Sequence, residues 1–315
     1  ARQYLIDLDK RQRLGRYIAP ADLTVGELID QYLDRGELYD TWRPVTLHRH
    51  RLTARLHIKP DLGHLRVQSV TRSRLQHWMD GLARQYGASL LTNCMAVLNG
   101  AFATAIEMDI IDISPTSRLK RPREKRKAMA IWTPAECRAV FDALADEPMW
   151  LAAYHLLLST GLRQGELRAL VWSDVRFDQR QLLIPRTMTL DAEGHSIVGS
   201  ATKTDTPRAV ALTNRTFDAL MAWQAAQEIR SIRPETDFVF SVRAGRPLPN
   251  TRLQTKHRQI IAATGVPHIR VHDMRHTFGS SALGQGMDIK VVSEIMGHSK
   301  VQTTMDRYQH GSVDV

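Results

Sequence analysis

The sequence predicts a mainly α chain with a small antiparallel β-sheet, divided into an all-helical N-terminal domain and a mixed α/β C-terminal domain. Three observations lead there. Four apolar stretches with helical period lie between residues 23 and 108, a strongly basic segment occupies 118–127, and the period changes to alternation between Val175 and Leu212 before helices resume.

The chain has 315 residues, 43% hydrophobic and 24% charged, which is ordinary globular composition for two domains able to bury cores without disulfides. Its two cysteines, Cys94 and Cys137, fall inside helical apolar patterns and read as unpaired buried thiols of a reducing compartment. No signal-peptide layout opens the sequence, and no apolar run is expected to approach the roughly 18 residues needed to span a bilayer, so no membrane partner is expected. The formal charge is +10; residues 1–130 carry 22 Lys+Arg against 14 Asp+Glu, and residues 131–315 carry 21 against 19. A basic excess on one portion suits a polyanion, because neutralising phosphates releases condensed counterions.

Residues 1–20 are polar and too short to fold alone; they read as the stub of a larger N-terminal element. The helical domain, 21–117, has apolar spacing over Leu23–Leu33, Leu47–Ile58, Arg72–Leu82 and Leu90–Met108, with Thr71 or Ser73 as a cap and Pro60 and Gly63 marking a loop. Arg49, Arg51, Arg55 and Lys59 face either phosphates or solvent. At 118–127 the sequence R-L-K-R-P-R-E-K-R-K holds seven bases and one acid, with a proline that discourages helix. This is the interdomain linker, and Lys120, Arg121, Arg123 and Lys125 are its candidate DNA contacts.

The second domain, 128–315, opens with Thr133-Pro134-Ala135-Glu136, a capping box with proline at the first helical position. Helices are expected at 149–159 and 165–171. Strands within Val175–Pro185 and Ser196–Leu212 follow, broken by Asp191, Gly194 and Gly199, and form a small antiparallel sheet. Helices return at 214–229, 250–263, 272–284 and 288–296, the last capped by Asp288 and ended by Gly297.

Three clusters carry chemistry. In T-G-L-R-Q-G-E-L (160–167) Gly161 allows a tight turn and Glu166 lies three residues beyond Arg163 at a helix start. The pair is either an ordinary N-terminal ion pair or a carboxylate fixing a guanidinium toward a phosphate. In H-D-M-R-H-T-F (272–278) His272 and Arg275 share one helical face. His272 and His276 also have the spacing of a zinc pair, but no glutamate follows the first histidine and Arg275 would repel the ion, so no metal is assigned. The third cluster sets G-H-S (297–299) ahead of T-T-M-D-R-Y (303–308), with His298 ten residues before Tyr308.

In this order and context, Arg163, His272, Arg275, His298 and Tyr308 resemble the tyrosine recombinase family, the phage integrases and their transposon relatives. The resemblance spans roughly 21–311 and is strongest over 131–311. It implies a helical core-DNA-binding domain followed by a tyrosine-recombinase catalytic domain. It also matches A-T-K-T-D-T-P-R (201–208) to the family's hairpin lysine at Lys203. Met274 replaces the usual leucine, a volume-conserving change. The tail of seven residues after Tyr308 is shorter than the segment many members dock on a neighbouring subunit.

What the resemblance implies is chemically coherent. A tyrosine with pKa near 10 is about one part in a thousand phenolate at pH 7, a cost of roughly 4 kcal/mol unless a base assists. His272 suits that role. Arg163 and Arg275 clamp the non-bridging oxygens, His298 adds a hydrogen bond, and Lys203 protonates the 5′-oxygen leaving group. The 3′-phosphotyrosine conserves the bond energy, so no ATP, metal or other cofactor is expected. The implied partners are double-stranded DNA at attachment or crossover sites, a homo-tetramer on two sites passing through a Holliday junction, and accessory DNA-bending or directionality proteins. The implied setting is the prokaryotic cytoplasm, at the nucleoid. A type IB topoisomerase would share most of this pocket; a non-catalytic DNA-binding regulator would have no use for Lys203 and Tyr308 together.

Overall fold

A computed structural model describes residues 22–120, 130–200, 207–229, 238–243, 246–298 and 301–308. The chain divides into two compact units, Ala1–Arg126 with Leu190–His195, and Lys127–Thr189 with Ser196–Val315. The expected stub at 1–20, together with Arg121, Arg123, Lys125 and Lys203, lies outside the described residues.

The first unit is built from α1 (Val25–Leu38), α2 (Pro44–Thr53), a π-type turn (Ala54–Ile58), α3 (Lys59–Leu62), α4 (Arg72–Gln85) and α5 (Ala88–Glu107). Thr24 and Glu27 form a reciprocal capping box on α1, a local signal that the sequence reading passed over. Thr71, not Ser73, caps α4 by accepting from the Arg74 amide. The helix expected to end at Ile58 continues to Leu62. The hydrogen-bond ladder shifts through the π-type turn just ahead of Pro60, which has no N–H to contribute.

Leu28 and Ile29 of α1, Ile58, Leu75 and Met79, and Leu91, Leu98 and Phe102 of α5 fill one buried core. By length and composition α5 is apolar enough to cross a membrane, which corrects the expectation of no such segment. Its apolar side is accounted for by that core. Cys94 is buried there too, and burial pushes its thiol pKa up to about 11, as befits an inert thiol. Cys137 is only partly buried.

The second unit begins with α6 (Pro134–Ala143), capped by the expected Thr133–Glu136 box, and continues with α7 (Pro148–Thr160) and α8 (Gln164–Ala169). Strands β1 (Val175–Arg176), β2 (Gln181–Ile184) and β5 (Arg208–Ala211) form an antiparallel sheet ordered β1-β2-β5, while β3 (Arg186–Leu190) and β4 (Ser196–Ser200) pair separately. The one expected sheet is thus two. Leu182 pairs with Val210 across the β2–β5 ladder and both are buried. Asp191 closes the β3–β4 turn by accepting from the Glu193 and His195 amides.

Then come α9 (Asn214–Ile229), an unforeseen short hairpin β6 (Ser241–Arg243) and β7 (Arg246–Pro247), α10 (Asn250–Thr264), α11 (Met274–Gly284), α12 (Ile289–Met296) and α13 (Val301–Tyr308). Asp288 caps α12, and Gly297 ends it in a left-handed conformation, as expected.

Buried polar groups knit this core. The His257 Nε2–H donates to the Ile269 carbonyl (2.8 Å), so the ring is the Nε2 tautomer and its Nδ1 accepts from the Tyr154 hydroxyl (2.9 Å). His155 stacks on Phe141 with centroids 4.0 Å apart. Burial, reinforced by the Arg215 charge, lowers the His155 pKa from 6.5 to about 4, and burial lowers that of His257 as well. The unfolded His155 ring therefore binds a proton below pH 6.5 and the folded ring only below about 4. Its contribution is intact above pH 6.5 and is lost progressively as the pH falls between those values. Melting temperature should drop over that interval. His155→Phe keeps the stack and cannot titrate, so it should show a shallower drop; an unchanged slope would mean that the ring protonates equally in both states.

Candidate active site

The turn after α7 sets the site's first arginine. Gly161 caps that helix at φ 62°, and a Cβ there would lie 2.6 Å from the Phe278 ring, so only glycine suits both the conformation and the space. The chain then places Arg163 at the N-terminus of α8. Its backbone N–H donates to Glu166 Oε2 (2.8 Å) and its Nη1 to Oε1 (2.9 Å). Its Nη2 reaches the Gly297 carbonyl at 3.0 Å. The local ion pair expected from sequence is therefore present, and it also reaches the far end of α12.

Glu166 is 5% exposed and takes a second guanidinium: Arg208 Nη1 meets Oε1 at 3.0 Å and Nη2 meets Oε2 at 2.8 Å. Burial alone would raise the Glu166 pKa, but the Arg208 fork and Arg163 outweigh it and hold the carboxyl below its ordinary value. The group is thus a carboxylate at neutral pH.

Arg275 is 1% exposed and donates Nη1 to the Gly161 carbonyl at 2.6 Å. His272 does not share with it the regular helical face that the spacing predicts. It sits in a 3-10 turn, Val271–Asp273, because Asp273 accepts from the Arg270 amide and delays α11 to Met274. The His272 and His276 rings meet edge to face, with centroids 5.5 Å apart. His298 follows Gly297; its amide donates to the Ser293 carbonyl (3.0 Å), and its Nδ1 lies 2.7 Å from the Thr304 hydroxyl of α13. Tyr308 is the last residue of that helix, one turn beyond Thr304.

The structure therefore joins the segments carrying Arg163, Arg275 and His298 through direct hydrogen bonds, with His272 three residues before Arg275 and α13 tied to His298. Two participants escaped the sequence reading. Thr304 carries no local signal, and Arg208 closes the quoted A-T-K-T-D-T-P-R stretch, where a single arginine opening a strand looks like any edge cation. In the first unit, Arg51 pairs with Glu37 and Lys59 with Asp30. Arg49 and Arg55 are exposed and form no ion pair among the described residues, and Lys120 is exposed, its backbone held by Gln76.

Residues 132–314 match the model of the phage integrase family, and residues 24–83 match that of the phage integrase N-terminal SAM-like domain. The chain belongs to the phage integrase family of tyrosine recombinases. Among its relatives, the ICEBs1 integrase of Bacillus subtilis is 26% identical over 80% of this chain and 69% of its own length. The tyrosine recombinase XerC of Xylella fastidiosa is 27% identical over 76% of each. The fold resembles that of the Tn1549 transposon integrase in complex with a circular intermediate DNA, with a TM-score of 0.77 at 20% identity over 91% of this chain and 95% of that one. It also resembles a lambda integrase dimer bound to a core site, with a TM-score of 0.70 at 18% identity over 89% and 97%.

Proposed function

We infer that this protein is a site-specific DNA recombinase, cutting and rejoining DNA through a 3′-phosphotyrosine on Tyr308. Arg163 and Arg275 clamp the scissile phosphate, His298 adds a donor, His272 takes the phenolic proton and Lys203 supplies a proton to the departing 5′-oxygen. Phosphodiester is exchanged for phosphodiester, so a 5′-hydroxyl from a partner strand reverses the step without ATP, metal or hydrolytic water. The observation that carries this reading is the pair of guanidiniums oriented by the chain's own oxygens, Arg163 by Glu166 and Gly297 and Arg275 by Gly161. Such preorganised donors stabilise the charge that builds on the phosphoryl oxygens.

A lambda integrase tetramer has been solved on a Holliday junction, with a fold matching this one at a TM-score of 0.68. In the same manner, four copies of this chain act on two sites. The helical domain, 21–117, grips the duplex through Arg49 and Arg55, and the 118–127 linker follows the phosphate backbone with Lys120, Arg121, Arg123 and Lys125. DNA-bending or directionality proteins serve as accessories, and the reaction takes place in the bacterial cytoplasm at the nucleoid.

The test is a set of nicked suicide duplexes covering the DNA that flanks the gene. The wild-type protein should form a covalent adduct that survives SDS and yields to protease. A DNA-binding regulator would give none, and a type IB topoisomerase would relax plasmids that lack any such site.

A further inference from the structure

We propose that Arg208 is a positioning residue of the recombination reaction, its guanidinium coupling the strand that follows the Lys203 segment to Arg163 and to the helix end that bears His298. The inference rests on the recombinase reading above and goes beyond it, since Arg208 needs no contact with DNA.

Three bonds define the arrangement. Arg208 opens β5, five residues after Lys203, and its side chain is 10% exposed. The planar fork covers both Glu166 oxygens, and Nε donates to the Ile295 carbonyl at 2.7 Å, in the last turn of α12. Glu166 in turn holds Arg163, which reaches Gly297 one residue before His298. One buried carboxylate thus ties together β5, the Arg163 turn and the end of α12.

Gly297 belongs to the same assembly. A Cβ at that residue would stand 2.8 Å from Arg208 Nη1, so the glycine of M-G-H-S makes room for the guanidinium as well as ending the helix. Lysine could supply the charge at 208 but not the fork, and so could not hold Glu166 and Ile295 in one plane.

A positioning role differs from a merely structural one in its pH dependence. The charged groups facing Glu166 are Arg163 from its own turn and Arg208 from β5. Without Arg208, burial acts against Arg163 alone, and the carboxyl pKa rises. Protonated Glu166 would then release Arg163.

The experiment measures cleavage of a nicked duplex by full-length R208M, R208K, E166Q and E166Q/R208M, with melting temperatures recorded alongside. R208M should cleave about a hundredfold more slowly than wild type at neutral pH, the scale of a misplaced catalytic group. Its deficit should widen as the pH falls from roughly 8 to 5.5, as the carboxyl left with Arg163 alone gains its proton. E166Q/R208M compared with E166Q should show no such widening. R208K, which keeps a cation beside Glu166 should R208M not fold, should be roughly tenfold slow with no added pH dependence. Cleavage by R208K or R208M within about threefold of wild type, or an R208M deficit independent of pH, would overturn the proposal. Failure of the wild-type protein to form any adduct would instead sink the recombinase assignment.

Discussion

Replacing Tyr308 by phenylalanine is expected to leave DNA affinity unchanged and to abolish the covalent protein–DNA adduct. The substitution removes one oxygen from the last residue of α13. In the recombinase reading, binding is expected to rest on phosphate contacts by other residues, whereas the adduct needs a nucleophile, and phenylalanine has none. Mobility shift on the flanking duplexes reads the first quantity, and a denaturing gel of the nicked substrate reads the second. An adduct formed by Tyr308→Phe would place the nucleophile at another residue and end the assignment.

The next largest effect is expected at the arginines. Arg163→Ala and Arg275→Ala should each slow cleavage by at least about a hundredfold, the loss that follows removal of one preorganised donor to a developing oxyanion. The two should differ in stability. Arg163 is partly exposed, and its removal leaves Glu166 with the Arg208 fork, so its melting temperature should change little. Arg275 is among the most buried side chains in the molecule, and alanine there opens a cavity beside the Gly161 carbonyl, so a lower melting temperature should accompany the slow cleavage. Single-turnover rates on a nicked duplex, taken well below both melting temperatures, separate the two effects. Near wild-type cleavage by either variant would show that its guanidinium does not hold the phosphate.

What could be read in advance was local. The Thr133–Glu136 box, the Arg163–Glu166 spacing and the Asp288 and Gly297 ends of α12 each depend on residues a few positions apart, and each has the geometry its spacing suggests. Pairing across long separations was not readable. β2 takes β5 as its partner while β3 and β4 pair between them, a choice governed by which strands bury Leu182 and Val210 rather than by any nearby signal. The β6–β7 hairpin is too short to show alternation, and the eight residues of α13 too few to show a helical period against their polar background.

The same divide runs through the site. The residues that resemble the integrase motifs were found because each sits in a recognisable local run. Arg208 and Thr304 were missed because their meaning lies entirely in partners far along the chain, Glu166 and Ile295 for one and His298 for the other. His272 was placed at the start of a helix that begins two residues later, because Asp273, read only as part of a motif, accepts from the Arg270 amide.

The bond from Arg275 to Gly161 has a consequence for how the site presents charge. A guanidinium keeps its proton at every physiological pH, and taking it out of water demands oxygen lone pairs to meet it. At this turn one partner is a peptide oxygen, which steers the plane of the group and carries no net charge of its own. An incoming polyanion would therefore meet a guanidinium already aimed, made possible by a backbone bend that only a residue without a side chain can take.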